Sequence, residues 1–191
     1  MSSLLVTTSP LVKRYTLEEF FSLENPPGGG HYELIAGVLY MVPPPSGPHA
    51  TAVAHLNRRF SAYLAAHPEL GELFVPRAAI WTLADTYLEP DLMFVSAEHL
   101  KNMDPGHLTT ADLVVEVVSP STALYGRTTK ADTYAALGVG ELWLIDTEKR
   151  AIEQRILEEG RWTKTKIYAS GETIHAERLP GFTCDVGSLF A

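Results

Sequence analysis

The chain has 191 residues, of which 46% are hydrophobic and 20% are charged, and its formal net charge is −8. This composition is typical of a globular protein rather than a disordered or fibrous one. The length suffices for one domain with a real core, which we expect to span residues 1–191. The acidic balance disfavours a general nucleic-acid binder, because phosphate contacts require a basic surface. It does not exclude a basic rim around an acidic centre.

Membrane spans and cysteine chemistry are disfavoured as well. No stretch approaches the roughly 20 apolar residues of a membrane span, and the first residues lack the charged region of a signal peptide. Cys184 is the only cysteine, which excludes an internal disulfide and a cysteine-rich zinc site. We therefore expect a protein of the reducing cytoplasm.

The apolar periodicity and the turn residues predict a mixed α/β protein, with helices flanking one central mixed β-sheet and with additional β-hairpins. The predicted elements in chain order are a capped helix over 16–23, a hairpin over 32–42, a helix over 49–66, strands over 73–83 and 88–95, a loop with at most one helical turn over 96–110, a strand over 113–118, a helix that ends at about 138, a strand over 141–146 and a hairpin over 151–168. A last apolar edge follows near the C-terminus.

The stretch Asp112–Lys130 is the most informative part of the sequence. Its first half is an apolar strand interrupted by Glu116, and a carboxylate there is costly to bury unless it is paired, protonated or coordinated. A proline-containing turn at 119–122 ends the strand. The helix that follows carries three residues on one predicted face, Arg127, Lys130 and Tyr134.

A second isolated acid, Asp91, follows Pro90 at the start of another apolar strand. Because side chains alternate along a strand, Asp91 and Glu116 converge at one end of the sheet if their strands are neighbours. Two close carboxylates repel each other, and Mg²⁺ or Mn²⁺ would relieve that repulsion while activating water. Lys130 would then orient the water or stabilise the developing charge.

The same residues also fit a purely structural interpretation. Glu116 and Lys130 would form a buried salt bridge between strand and helix, and Asp91 would be a turn residue. Glu33, at the start of the first hairpin, would cap a helix or pair with Arg58. The residues alone leave both interpretations open.

Several segments together carry a resemblance to a known family. They are YELIAGVLYMVPPPSGPH, EPDLMFV, DLVVEVVSPST, the K-x-x-x-Y pair with GVGELWLID, and LPGFTCDV. In this order, over about residues 15–190, they resemble the Uma-type branch of the PD-(D/E)xK restriction-endonuclease-like superfamily. The resemblance implies a restriction-endonuclease-like core and a nuclease that depends on Mg²⁺ (or Mn²⁺), acts on DNA and is often a homodimer.

The resemblance also implies roles for single residues. Asp91 matches the acid of the Pro-Asp pair and Glu116 the D/E acid, both expected at the metal ion. Val118 stands where a lysine is expected two residues after that acid, and the lysine of this branch comes from the next helix, here Lys130. Glu33 matches an N-terminal acid that joins the site.

Two further residues, His49 and Arg127, are candidates for phosphate contact. His49 occupies a position near the site in the family, whereas at Gly126-Arg127 an acid commonly precedes the helix lysine, so this sequence departs from the pattern there.

Two hypotheses follow. The first is an Mg²⁺-dependent endonuclease that hydrolyses DNA phosphodiester bonds, with the catalytic residues Glu33, Asp91, Glu116 and Lys130. The second is a catalytically inactive dimeric binding or regulatory module that retains the nuclease fold. The acidic charge and the valine at position 118 favour the second slightly.

Overall fold

Strands make up most of the regular structure in the computed structural model, which describes residues 12–104, 106–118 and 125–190. The strands are β1 (His31–Ile35), β2 (Val38–Val42), β3 (Gly71–Phe74), β4 (Ile80–Thr82), β5 (Thr86–Leu88), β6 (Leu92–Ser96), β7 (Leu113–Val118), β8 (Glu141–Asp146), β9 (Ala151–Glu158), β10 (Arg161–Ala169), β11 (Thr173–His175) and β12 (Thr183–Asp185). Within the described residues they form a central six-stranded sheet in the order β10-β9-β8-β7-β6-β3, in which β7 and β8 are parallel and the other neighbours antiparallel.

Helices flank this sheet. They are α1 (Leu17–Phe21), α2 (Gly47–Ala66), α3 (Ala97–Asn102) and α4 (Ala131–Ala136), with a π-helical turn (Gly126–Lys130) before α4 and a 3₁₀ turn (Gly187–Leu189) near the C-terminus. In the part of the chain that the structure describes, no helix combines the length and the apolar character needed to cross a membrane. The architecture is thus the predicted mixed α/β one.

The predicted central sheet is present, but the β-structure outside it is more extensive than the predicted additional hairpins. Besides the central sheet, the described residues form a four-stranded sheet in the order β2-β1-β5-β4 and a two-stranded sheet of β11 and β12. The stretches 73–83 and 88–95, each predicted as one strand, both cross from one sheet to the other. The second crossing is at Pro90, which cannot donate a ladder hydrogen bond and therefore separates β5 from β6.

Short sequence motifs correctly predicted a helix cap and a hairpin turn. Thr16 and Glu19 form the predicted capping box. Ala36 and Gly37, with φ values of 47° and 76°, form the predicted hairpin turn between β1 and β2. Helix α2 begins two residues earlier than predicted because Ser46 caps it. The predicted turn at 119–122 lies outside the described residues.

The two faces of the central sheet bury different sets of residues. One face packs against α2 and the C-terminal segment, with Leu92, Val115 and Trp143 among its core residues. The other packs against α4 and the four-stranded sheet, with Met93 and Val114 in its core. The predicted alternation along β6 and β7 is therefore confirmed, and it places Glu116 on the α4 side.

Candidate active site

Asp91 and Glu116 meet at one end of the β6–β7 pair. The antiparallel register joins Leu92 to Val115, so the next positions along it are Asp91 and Glu116. Asp91 Oδ2 accepts a hydrogen bond from the Val117 backbone N–H at 2.7 Å. Asp91 Oδ1 lies 2.8 Å from His49 Nε2, on the first turn of α2. The structure thus brings together both acids and the histidine that the sequence singled out.

Glu33 reaches the same place from the four-stranded sheet, and its side chain is fully buried. Its Oε1 accepts hydrogen bonds from the Glu89 backbone N–H at 2.9 Å and from Lys130 Nζ at 3.0 Å. Its Oε2 accepts one from the Tyr125 hydroxyl at 2.9 Å. Lys130 therefore takes the place of Arg58, the partner that the structural interpretation offered.

Lys130 joins the two sheets. Its buried ammonium lies 2.6 Å from Glu116 Oε1 as well as 3.0 Å from Glu33 Oε1. The Tyr134 hydroxyl donates to the same Glu116 oxygen at 2.5 Å. The predicted strand-to-helix salt bridge is therefore present, but one ammonium faces three carboxylates when Asp91 is included. The cluster keeps an excess of negative charge, which is a condition for attracting a cation.

Burial raises the pKa of Glu116 to about 7; Lys130 opposes this rise, and Asp91 and Glu33 add to it. Burial alone would lower the pKa of Lys130, but the Glu116 and Glu33 charges outweigh it and hold that pKa above its usual range. For His49, burial is likewise outweighed by the hydrogen bond and charge of Asp91, which raise its pKa. The lysine thus stays charged near neutral pH while Glu116 remains able to exchange a proton.

The π-helical turn before α4 sets where Lys130 points. A Cβ at Gly126 would lie 2.9 Å from Val118 Cγ1, so the glycine allows the turn to approach β7 closely. Arg127 nevertheless has other partners than Lys130 and Tyr134, both of which contact Glu116.

Arg127 instead binds the carboxylates of the neighbouring strands. Its Nη2 lies 3.0 Å from Asp146 Oδ2, and its Nη1 contacts Glu153. Of the residues predicted for the site, Arg127 is the one that does not line the cavity formed by the others. Its proposed phosphate contact has no support from this geometry.

A cavity of about 590 Å³ opens over the acids. The side chains of Asp91 and Glu116 are 18% and 9% exposed, so both retain some access to it. The polar residues that line it are His31, Glu33, Ser46, His49, Asn57, Arg77, Glu89, Asp91, Glu116, Tyr125 and Lys130. Such a concave site with converging polar groups is the usual form of a ligand-binding site.

The acidic side chains of the site decide whether it can hold a divalent cation. Among the described residues, no group of three or more His, Cys, Asp or Glu side chains is arranged to hold a metal ion. Asp91 and Glu116 nevertheless both face the cavity, and Mg²⁺ commonly takes one or two protein carboxylates and completes its shell with water and substrate phosphates. Glu33 is set apart by its complete burial, whereas Asp91 and Glu116 both keep some exposure. The chemistry of the site thus fits an Mg²⁺ held by Asp91 and Glu116.

Sequence reasoning missed several residues of the site. Tyr134 lies one turn beyond Lys130, so its position next to Glu116 had a local signal in the helical spacing. Tyr125 had none, because it meets Glu33 from 92 positions away. Arg77 and Glu89 form an ion pair in the cavity, and nothing in their local pattern marks it.

The chain shares its fold with a protein of known structure. The chain is similar to the crystal structure of a putative nuclease belonging to DUF820 from Anabaena variabilis ATCC 29413, with a TM-score of 0.74 and 16% sequence identity. The match covers 92% of this chain and 97% of that chain.

The family follows from the sequence. The model of the Uma2 family, described as "Putative restriction endonuclease", matches residues 17–187, and the chain belongs to this family. A search of curated proteins found no match. The resemblance seen in the sequence motifs is therefore confirmed at the level of the family.

Proposed function

We propose that this protein is an Mg²⁺-dependent endonuclease that hydrolyses DNA phosphodiester bonds. The observation that carries the proposal is the cluster of Glu33, Asp91 and Glu116 around the buried Lys130, at the floor of an open cavity. Family membership and fold support a nuclease. An ion held by Asp91 and Glu116 would polarise the phosphodiester and lower the pKa of a bound water.

The protein groups have separable roles in this proposal. Asp91 is held in place at the cavity lining by the Val117 backbone N–H and by His49, one on each carboxylate oxygen. Glu116 loses its proton readily near neutral pH, since its pKa is about 7. Lys130 carries a fixed positive charge between Glu33 and Glu116, from which it can stabilise the extra negative charge of the transition state.

Glu33 and Tyr125 position that lysine rather than react themselves. Glu33 is fully buried and has donors on both oxygens. The ion pair with Glu33 holds the Lys130 ammonium next to the four-stranded sheet. The lysine supplied by the helix thus takes the role that the residue at position 118 does not fill.

A cleavage assay tests the proposal. Supercoiled plasmid and single-stranded or branched DNA are incubated with the protein and with Mg²⁺, Mn²⁺ or EDTA. We expect cutting only with a metal ion, and loss of cutting in Asp91→Asn and Glu116→Gln. Glu72→Gln, an exposed acid on β3, serves as the matched control and should cut like the wild type.

Metal binding is measured independently by titrating Mn²⁺ calorimetrically into the wild type, Asp91→Ala and Glu116→Ala. Equal binding by all three proteins would refute the assignment of the metal ligands. Unaltered nucleic acid in every condition, together with intact DNA or protein binding, would instead support a catalytically inactive module. The acidic net charge of −8 and the valine at position 118 slightly favour this second function.

A homodimer is part of the proposal because the family resemblance implies it. Light scattering coupled to gel filtration measures the mass in solution. A monomer at all concentrations would remove the dimer from the proposal without affecting the site.

A further inference from the structure

Arg77 is an unusual residue on the rim of the cavity. Its φ is +79°, a left-handed conformation that costs a non-glycine residue energy and that persists where surrounding structure or function requires it. Its side chain is 66% exposed, yet its Nη1 lies 3.1 Å from Oε2 of Glu89, whose side chain is only 8% exposed. The guanidinium is thus held over the cavity by a nearly buried carboxylate.

Few arginine or lysine side chains in the cavity could bind the phosphates of a nucleic acid. Among the described residues that line it, these are Lys130 and Arg77. Lys130 is buried and bound to Glu33 and Glu116. Arg127, the arginine that the sequence favoured, pairs with Asp146 and Glu153 and does not line the cavity. Among the described residues that line the cavity, Arg77 is therefore the exposed arginine or lysine.

Glu89 connects Arg77 to that centre. Its backbone N–H donates to Glu33 Oε1 at 2.9 Å, and Asp91 follows it by two residues. A group bound by Arg77 therefore lies in the same cavity as the two proposed metal ligands. A planar guanidinium matches the oxygens of a phosphate and forms two parallel hydrogen bonds with it.

Glu89 also has a second partner at hand. His31 Nε2 lies 3.8 Å from the same Glu89 oxygen that Arg77 contacts. This buried nitrogen has no hydrogen-bond partner among the described residues. A small shift would bring it into hydrogen-bond range, so the carboxylate would keep a partner when the arginine turns to another anion.

From these contacts we propose that Arg77 binds a backbone phosphate of the nucleic-acid substrate, and that Glu89 holds the arginine over the cavity until the phosphate replaces it. The inference rests on the proposed function and assigns to it a phosphate-binding residue outside the acid cluster. Arg77 acts on substrate binding, whereas Asp91, Glu116 and Lys130 act on the bond that breaks.

The test measures DNA binding without cleavage. All variants carry Glu116→Gln, and the affinity for a fluorescein-labelled DNA duplex is measured by anisotropy over a series of NaCl concentrations. Loss of one phosphate contact reduces the slope of log K against log salt by about 1. We expect this reduced slope and about tenfold weaker binding in Arg77→Gln. Arg77→Lys should restore the slope but only part of the affinity, because lysine keeps the charge and cannot form both parallel hydrogen bonds.

Two variants separate binding from folding. Arg77→Gly removes the guanidinium but relieves the left-handed backbone, so it should bind as weakly as Arg77→Gln without losing stability. Arg150 also has a positive φ, of 50°, and its guanidinium lies over the Phe190 ring at 5.8 Å, away from the cavity lining. Arg150→Gln is therefore the matched control and should keep the wild-type slope.

A double-mutant cycle tests the holding role of Glu89. Glu89→Gln should tighten DNA binding more when Arg77 is present than in the Arg77→Gln background, because it releases the arginine. An equal effect in both backgrounds would overturn the holding role, and an unchanged salt slope in Arg77→Gln would overturn the phosphate contact. If the parent protein binds no DNA and the wild type cuts none, the proposed function itself fails, and this inference with it.

Discussion

Lys130 Nζ lies 3.0 Å from Glu33 Oε1, although 97 positions separate the two residues in the chain. The contact joins the helix behind the central sheet to the inner part of the four-stranded sheet. Because both groups are buried, each depends on the other for compensation of its charge. The ion pair between Lys130 and Glu33 therefore affects both the stability of the protein and the charge of the candidate site. Substitutions can separate these two effects.

Lys130→Met should destabilise the protein strongly. Methionine retains much of the side-chain length but leaves Glu33 and Glu116 without their shared counter-charge. Breaking a buried ion pair by removal of one partner typically costs about 3–5 kcal/mol. Urea unfolding near pH 8 measures the loss. Lys149→Met, at an exposed lysine 3.7 Å from Asp146, is the control and should change stability by less than about 0.5 kcal/mol. Equal losses in the two variants would contradict the compensating role of Lys130.

Gly126→Ala should disturb the π-helical turn. The added Cβ would meet Val118 Cγ1 at 2.9 Å, which is closer than real contacts of this kind. Overpacking of this type costs about 1–3 kcal/mol, measured by thermal or urea unfolding. The double variant with Val118→Ala should recover part of the loss. Gly47→Ala, at a helical glycine with open space around it, is the control and should be neutral or stabilising. A loss that Val118→Ala leaves unchanged would show that the close approach is not its cause.

Glu141, which lies outside the candidate site, should make the stability of the protein depend on pH. Burial raises the pKa of this fully buried carboxyl, although hydrogen bonds from Gln154, the Arg178 backbone and Trp143 oppose the rise. A raised pKa means that the folded state binds the proton more tightly than the unfolded state. The contribution of Glu141 to stability is therefore complete at pH values below its pKa in the unfolded chain. It is lost as the pH rises through its pKa in the folded protein.

The comparison uses Glu141→Gln, which cannot titrate. The unfolding free energy of the wild type minus that of the variant should fall with rising pH, by at most about 1.4 kcal/mol per pH unit. Urea unfolding between roughly pH 4 and pH 8 measures it. Glu72→Gln, on an exposed side chain, provides the reference for general charge effects. If the wild type instead gained stability relative to Glu141→Gln as the pH rose, the pKa of Glu141 would not be raised in the folded protein.

Arg127 offers a contrast with Arg77. Its guanidinium joins the turn before α4 to Asp146 on β8 and to Glu153 on β9, and Arg155 Nη1 donates to its carbonyl at 3.0 Å. Arg127→Gln should therefore lower the unfolding free energy, by about 1–3 kcal/mol, because two partly buried carboxylates lose a partner. It should leave the salt dependence of DNA binding unchanged. A reduced salt slope with wild-type stability would restore Arg127 as the phosphate contact.

The sequence predicted what depends on neighbouring residues. The capping box at Thr16, the hairpin turn at Ala36-Gly37 and the buried strand around Glu116 each follow from a few adjacent side chains, and the structure has all of them. The shared face of Asp91 and Glu116 followed from the two-residue period of a strand. Their pairing needed only the assumption that the two strands are neighbours, which the register confirms.

What escaped prediction depends on distant parts of the chain. An alternating pattern continues unchanged when the backbone leaves one sheet and enters another, so the stretches 73–83 and 88–95 looked like single strands. The carboxylates that pair with Arg127 lie on β8 and β9, and the spacing of residues along one helix could not identify them. Partners such as Tyr125 for Glu33 arise from packing between elements that the sequence does not order in space.

The crossing at Pro90 makes the acid cluster depend on two different sheets. Glu33 comes from one sheet, Glu116 from the other, and Asp91 from the short link between them. A chain in which only one of the two sheets has formed holds at most part of the acid cluster and no properly placed lysine. The complete cluster therefore requires both sheets and their contact, which makes the geometry of the site a sensitive report on the integrity of the whole tertiary structure.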